Sequence, residues 1–339
     1  MLVARTTTTV TINRLTAAGA VDKRFGYRGS IRLPSDDLED FVRLASGKFV
    51  TVASTSETSL QVTRFSAAGR LDASYGKRGS VQITQGPNGT SVAVAGNGAI
   101  AQLDNGSPGT SLTASRITEY SPSGHPAASV TLAGAAYLNV YGLMASPNGG
   151  AWYVTADNGG GTQRLFRYTT NLAFDRSFGK HGSISLGNAQ LSLVTKNALF
   201  LAGSAPTHPK SFACTTAAVT KLHLNGSVDT TFGSHGTAQR FMFAGGRHAP
   251  GFATQIALTA HNRIVVLGNF SRGKASQFGL ARLHADGSVD HSFRSNSLAV
   301  GEQNWGRGLV SLSAVGAGTI YVSGQTFAGR GFVIACRSK

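Results

Sequence analysis

Few side chains in this 339-residue chain can do acid–base or metal chemistry: eleven Asp, four Glu, nine His and two Cys. Five of the Asp residues, Asp22, Asp72, Asp175, Asp229 and Asp290, recur in one motif, Gly-x-hydrophobic-Asp-x-x-Phe/Tyr-Gly-x-x-Gly. Its aromatic members are Phe25, Tyr75, Phe178, Phe232 and Phe293. An Asp among glycines invites a calcium reading, but a calcium loop needs several oxygen ligands at alternate positions and a closing carboxylate. Each motif offers one Asp, flanked by cations such as Lys23, Arg24, Lys77, Arg78, Arg176 and Lys180. A phosphate loop needs Gly-x-x-x-x-Gly-Lys-Ser/Thr opening a helix, and no helical pattern follows. The motif therefore reads as structural. Asp caps backbone N–H groups of a turn, the aromatic ring plugs the gap between units, and the glycines take positive φ at a corner. With no C-x-x-C and no H-x-x-x-H, no metal and no cofactor are expected.

Of the remaining acids, only Asp36-Asp37-Leu38-Glu39-Asp40 forms a run. It could hold a cation or a sugar hydroxyl; the plainer reading is a solvated acidic loop. Glycoside hydrolysis needs two carboxyl groups at a defined separation. Asp40, Glu302 and His248 are the best candidates for a hydrolase or lyase acting on a polysaccharide or lactone. The inter-unit loops 34–40, 84–90, 133–140, 187–190, 244–251 and 301–307 gather Asp40 with Asn139, Gln190, Arg247, His248, Glu302, Trp305 and Arg307. Amides, arginines, one histidine and one tryptophan suit recognition of a polar ligand better than catalysis. No Gly-x-Ser-x-Gly elbow occurs. His181 and His235 fall at the motif position of Arg28 and Arg78, and so read as surface residues.

The elements that must position these residues follow from an internal repeat. Residues 15–30 (LTAAGAVDKRFGYRGS), 65–80 (FSAAGRLDASYGKRGS), 168–183 (YTTNLAFDRSFGKHGS) and 222–237 (LHLNGSVDTTFGSHGT) are copies. Residues 283–294 begin a fifth, and 120–129 keep Gly124 but put Ala127 at the Asp position. Aligned on that position, the copies are 50, 55, 48, 54 and 61 residues apart. Between motifs come two alternating apolar runs about a Gly/Asn turn, as in FVRLASGKFVTVAS (41–54). Such runs read as β-hairpins. A third run ends in Arg14, Arg64, Arg167, Lys221, Arg282 or Arg337, and a fourth short run follows the motif. Four strands per unit without a helix is the arithmetic of a β-propeller. The expectation is one all-β domain over 1–339 with six four-stranded blades, seven being the alternative. The N-terminal strand would complete the C-terminal blade, which removes an exposed edge. Residues 1–16 are left as an extra strand or extension.

The motif around Gly69, Leu71, Asp72, Tyr75, Gly76 and Gly79, with the Ser46-Gly47-Lys48 turn, resembles the bacterial delta-60 repeat family. The resemblance covers nearly the whole chain. It implies a propeller-like fold, no particular activity, and a secreted or surface-associated setting. Two copies depart from it: the Gly124 unit lacks Asp and Phe-Gly, and the Asp290 unit lacks the glycines after Phe293. Altered outer corners are expected there.

Lys and Arg total 31 against 15 acids, a formal net charge of +16. Fifteen of the 31 lie in or beside motifs or end third strands, so the charge is spread by repetition rather than gathered into a stripe. Specific nucleic-acid binding is not expected. An anionic polymer, a glycan or a protein is the expected partner, and a monomer the expected state. No run approaches the ~18 apolar residues of a membrane span. The N-terminus lacks the apolar core of a secretory signal, and the extracellular or cell-surface expectation rests on the resemblance alone. Cys214 and Cys336 fall in non-adjacent units and read as buried free thiols.

Overall fold

Alternation fixes the strands. In Ser80–Thr84, Val81 and Ile83 are buried and Gln82 is exposed, the period-two pattern of a strand with one face on the core. Ile100–Asp104 is buried at all five positions, as expected for a strand covered on both faces. The structure, a computed structural model, describes residues 2–5, 9–16, 20–33, 37–86, 88–106, 114–132, 139–157, 162–206, 215–239, 251–259, 261–272, 275–293, 311–315, 319–325 and 331–337. Among them there is no helix; the strands form seven antiparallel sheets, each in sequential order.

The chain divides into two compact units, Met1–Ser185 and Leu186–Lys339. In the N-terminal unit the first sheet comprises Leu2–Arg5, Val10–Asn13 and Ser30–Leu33. The second comprises Asp37–Arg43, Phe49–Ser56, Ser59–Phe65 and Ser80–Thr84. The third comprises Thr90–Val94, Ile100–Asp104, Arg116–Tyr120 and Pro126–Thr131, and the fourth Asn139–Ala145, Ala151–Asp157, Arg164–Thr169 and Ser183–Ser185. In the C-terminal unit the fifth comprises Ala189–Val194, Leu199–Pro206, Thr215–Leu222 and Thr237–Gln239. The sixth comprises Gly251–Leu258, Ile264–Arg272 and Ala275–Leu283, and the seventh Ser311–Val315, Thr319–Gln325 and Gly331–Arg337.

The expectation for the N-terminal strand needs correcting. Ser30–Leu33 does not complete the C-terminal sheet. It pairs with Val10–Asn13, which pairs in turn with Leu2–Arg5. The unplaced third-strand copy is therefore the middle of an N-terminal sheet. Val10 and Ile12 are fully buried there, packed with Phe25, Phe49 and Phe65 at the boundary with the second sheet.

Within each unit, side chains fill the space between consecutive sheets. Tyr75, Val62 and Val81 of the second pack with Val94 and Ile100 of the third. Leu103 and Ile117 of the third pack with Trp152 and Phe166 of the fourth. In the C-terminal unit, Phe200 and Phe232 pack with Ile256 and Val266, and Val265 and Leu280 with Ile320 and Val322. First strands of four sheets carry a register shift, at Leu38/Asp40, Val140/Gly142, Leu191/Leu193 and Ala253/Gln255. A bulge bends a strand and re-aims its side chains.

Candidate functional site

Each corner motif is built around its Asp and the cation eight residues earlier. Arg14 binds Asp22 at 2.8–3.0 Å, Arg64 binds Asp72 at 2.8 Å, Lys221 binds Asp229 at 2.9 Å and Arg282 binds Asp290 at 2.8 Å. Arg167 binds Asp175 through Nε at 2.6 Å and through Nη2. These cations end the third strands. The constant spacing of eight was the available signal. The other carboxylate oxygen, Oδ1, accepts from the N–H two residues on: Arg24, Ser74, Ser177, Thr231 and Ser292, at 2.9–3.3 Å. The same cation lies 4.6–5.8 Å from the motif ring, over Phe25, Tyr75, Phe178, Phe232 and Phe293, within cation–π range.

The corner then docks on the next sheet. The N–H groups of Gly26, Gly76 and Gly233 donate to the carbonyls of Ala68, Ser123 and Asp286 at 2.7–2.8 Å. Arg14 and Arg64 reach the Ala67 and Pro122 carbonyls. A Cβ at Gly69 or Gly287 would sit 2.9 Å from the Phe25 or Phe232 ring, so these turn positions, at φ +79° and +85°, need glycine. Lys48 of the neighbouring turn adds a third contact to Asp72, at 2.7 Å. That bond, the Ser74 hydroxyl and the Arg64 charge hold the Asp72 carboxyl far below the usual range, against a weaker opposing effect of burial. Hydrogen bonds from Thr231 and Lys221 bring Asp229 to about 2.

The corner of the third sheet is different. Seven residues (73–79) separate Asp72 from Ser80, but only Ala128 separates Ala127 from Ser129. The equivalence is fixed by matching contacts, Thr63–Ser80 and Thr118–Ser129, both 3.3 Å between hydroxyls. Six residues, the aromatic plug among them, are missing, and the chain turns directly into Pro126–Thr131. Glu119 stands where the other corners have Arg or Lys. It is buried, and neither its Oε2 nor the Trp152 Nε1 beside it has a hydrogen-bond partner among the described residues. Burial pushes the Glu119 carboxyl up; the nearby indole N–H opposes this. At the turn position of Gly69 and Gly124, the fourth sheet carries Leu172, 2% exposed at φ +55°. It packs with Trp152 and Phe166.

Of the loop residues singled out for ligand binding, Arg247, His248, Glu302, Trp305 and Arg307 lie outside the described residues, as do Asp36 and Cys214. Asp40, Asn139 and Gln190 lie in first strands rather than in loops, since the alternating run begins earlier than its turn residues imply. Asp40 is half-buried, its carboxyl raised by burial, and accepts the Phe41 N–H at 2.7 Å. Gln190 is tied at 3.2 Å to the Thr254 carbonyl, which sits in the bulge of the sixth sheet. Gln255 of that bulge accepts the Leu312 N–H at 2.8 Å, so these amides link neighbouring first strands.

The described surface does hold one polar depression that the sequence did not predict. It belongs to the sixth sheet, has a volume of about 820 Å³, and is lined by His261, Arg263, His284, Ala285, Asp286 and Ser288. Two turns at one end of the sheet build it. Arg263 and His284 stand 3.8 and 4.0 Å from the Asp290 carboxylate, which Arg282 already binds. Asp286 accepts the Ser288 N–H and hydroxyl at 2.9 and 2.7 Å, and the hydroxyl bond foremost keeps its carboxyl low. The lining thus carries donors and acceptors of both signs. Among the described residues no group of three His, Cys, Asp or Glu could hold a metal ion.

These sheets and corners define a β-propeller fold. Residues 262–293, which hold the lining of the depression except His261, match the family profile described as "Domain of unknown function (DUF5122) beta-propeller". No curated protein sequence matches the chain. Among solved structures it is similar to a prolyl endopeptidase, with TM-score 0.52 and 10% identity over 99% of this chain and 49% of that one. A post-proline cleaving enzyme from Rickettsia typhi gives 0.52 and 9% over 98% and 50%. The propeller domain of the Trilobed protease from Pyrococcus furiosus gives 0.43 and 7% over 88% and 94%. The chain spans about half the length of the first two enzymes, and at these identities the likeness is one of fold. No helix among the described residues is long and apolar enough to cross a membrane.

Proposed function

We propose that this protein is a non-enzymatic binding or scaffold propeller for a polar or anionic ligand, its sheets serving as the blades of one domain. Seven sheets among the described residues favour the seven-blade count over six. The extracellular or cell-surface setting and the likeness to delta-60 repeats come from the motif resemblance. A single observation carries the reading. The five motif aspartates are bound by a cation of their own corner. Carboxylates tied up in this way are unsuited to proton transfer or metal binding. What the corners leave for a ligand is the sixth-sheet depression with His261, Arg263 and His284.

A glycan and polyanion array probed with the full chain tests this. Saturable binding to a defined glycan class, weakened by the pair His261→Ala and Arg263→Ala, is the expected result. Release of reducing sugars or lactone opening in the same wells would replace the binding reading by the hydrolase one.

A further inference from the structure

We propose that the corners of the first and second sheets, residues 22–30 and 66–80, form a docking surface for a linear acidic polysaccharide. The proposal rests on the binding reading above but concerns a different place. Lys23, Arg24, Arg28, Arg70, Lys77 and Arg78 are all exposed there. None has a carboxylate partner within ion-pair distance among the described residues. The two acids of these corners are neutralised from inside, Asp22 by Arg14 and Asp72 by Arg64 and Lys48. The corners are contiguous: Gly26 donates to the Ala68 carbonyl, two residues from Arg70. Packed sheets repeat at ~10 Å, so the surface offers clusters of cations at regular intervals.

The repeat itself does not require these cations. In the corner at 222–237 of the C-terminal unit, the same positions are Ser227, Thr230, Thr231, Ser234 and His235. That corner keeps the ion pair, the buried ring, the glycine contact and the left-handed residue at φ +52°. Arg28 and Arg78 hold φ +52° and +55°, a left-handed conformation that favours glycine. Cations are thus placed where that corner carries hydroxyls or, at the left-handed position, a histidine.

The chemistry separates the classes of polyanion. Arginine forks match carboxylates and phosphates alike, so other features must separate the classes. A single-stranded nucleic acid needs free aromatic faces for its bases. The one strongly exposed ring here, Tyr27 at 76%, carries the Arg28 guanidinium at 5.3 Å. A membrane would need an apolar wedge, but Val21 and Leu71 are only about half exposed and sit against Gly29 and Gly79.

The test uses the full chain and a variant carrying Arg24→Ser, Arg28→Ser, Arg70→Ser and Arg78→Ser. Retention on heparin and polygalacturonate is read against salt, with a poly-dT resin and anionic phosphatidylserine vesicles in parallel. The wild type should bind both polysaccharides, and the variant about 10-fold or more weaker with a shallower salt dependence. The milder pair Arg70→Ser and Arg78→Ser should lose part of the affinity while melting like the wild type. Lys196→Ser, which changes an exposed lysine outside these corners, should retain it in full, and the His261→Ala and Arg263→Ala pair is run in parallel. Equal binding by the four-serine variant would overturn the location. Preference for poly-dT or vesicles would overturn the ligand class. Loss of polysaccharide binding only in the depression variant would move the ligand to that site and leave the binding reading standing.

Discussion

The corners of the second and third sheets solve one packing problem in opposite ways. In the second, Tyr75 is fully buried between sheets and the facing turn is trimmed to Gly124, whose added Cβ would lie 3.0 Å from the ring. In the third the ring is deleted, and the facing turn supplies Leu172 instead. The bulk has moved from one side of the boundary to the other. The charge changed with it: Arg64 with Asp72 in one corner, Glu119 with Ala127 in the other. The repeat therefore conserves a filled boundary rather than a particular residue. The left-handed turn survives in both, as glycine at φ +87° and as leucine at φ +55°.

The sharpest way to break this comparison is to put bulk on both sides. Gly124→Leu should destabilise the protein by about 4 kcal/mol or more, because the new side chain meets the Tyr75 ring and the Gly76 backbone. Removing the ring with Tyr75→Ala should alone cost about 4 kcal/mol. The double variant should be more stable than the sum of the two, with a coupling of about 1–3 kcal/mol in urea or thermal melts. Strict additivity would show that the turn and the ring do not share one space.

Next in size is the charge of the regular corner. Asp72→Asn keeps a cap for Ser74 but strands Arg64, whose side chain is 11% exposed. The expected loss is about 2 kcal/mol at neutral pH. Because the Asp72 carboxyl titrates lower in the folded than in the unfolded state, its contribution is complete above an unfolded value of ~3.9 and declines as the pH falls below it. The gap between wild type and variant should accordingly hold from neutral pH down to about pH 4 and narrow progressively as the pH falls further. A gap of constant width would place the stabilisation in the cap rather than in the ion pair.

How much of this was legible in the sequence depends on whether the information was periodic. Strand alternation, the hairpins and the Asp-aromatic-Gly corner repeat in register, so they could be read by comparing copies. The ion pairs are half legible: Arg64 and Asp72 each recur in the repeat, and only their common spacing of eight couples them. Leu172 is not legible, because a leucine in an apolar stretch carries no mark; only alignment with Gly69 and Gly124 makes it unusual. Asp40 and Gln190 were assigned to loops because bulges such as that at Leu38/Asp40 interrupt the alternation at the start of a first strand. The depression escaped since His261 and His284 are 23 residues apart in different turns. Only the sheet brings them together.

The smallest expected effect tests the irregular corner and has the opposite sign. Glu119 is buried in the place of the cation that the regular corners carry, and its carboxyl is raised by that burial. Below an unfolded value of ~4.3 it is protonated in both states and costs nothing electrostatically. Above that value the unfolded chain ionises first, so stability declines as the pH rises toward the raised value. Glu119→Gln, which keeps the shape without the charge, should leave melts at pH 4 unchanged and add about 1 kcal/mol at pH 7. With Asp72→Asn the two substitutions form a pair, each removing one carboxylate, one expected to weaken the protein at neutral pH and the other to strengthen it. A loss at pH 7 from Glu119→Gln would mean that the indole alone suffices to hold the charge. The third corner would then be a second kind of polar anchor rather than a boundary closed by Leu172 and Trp152.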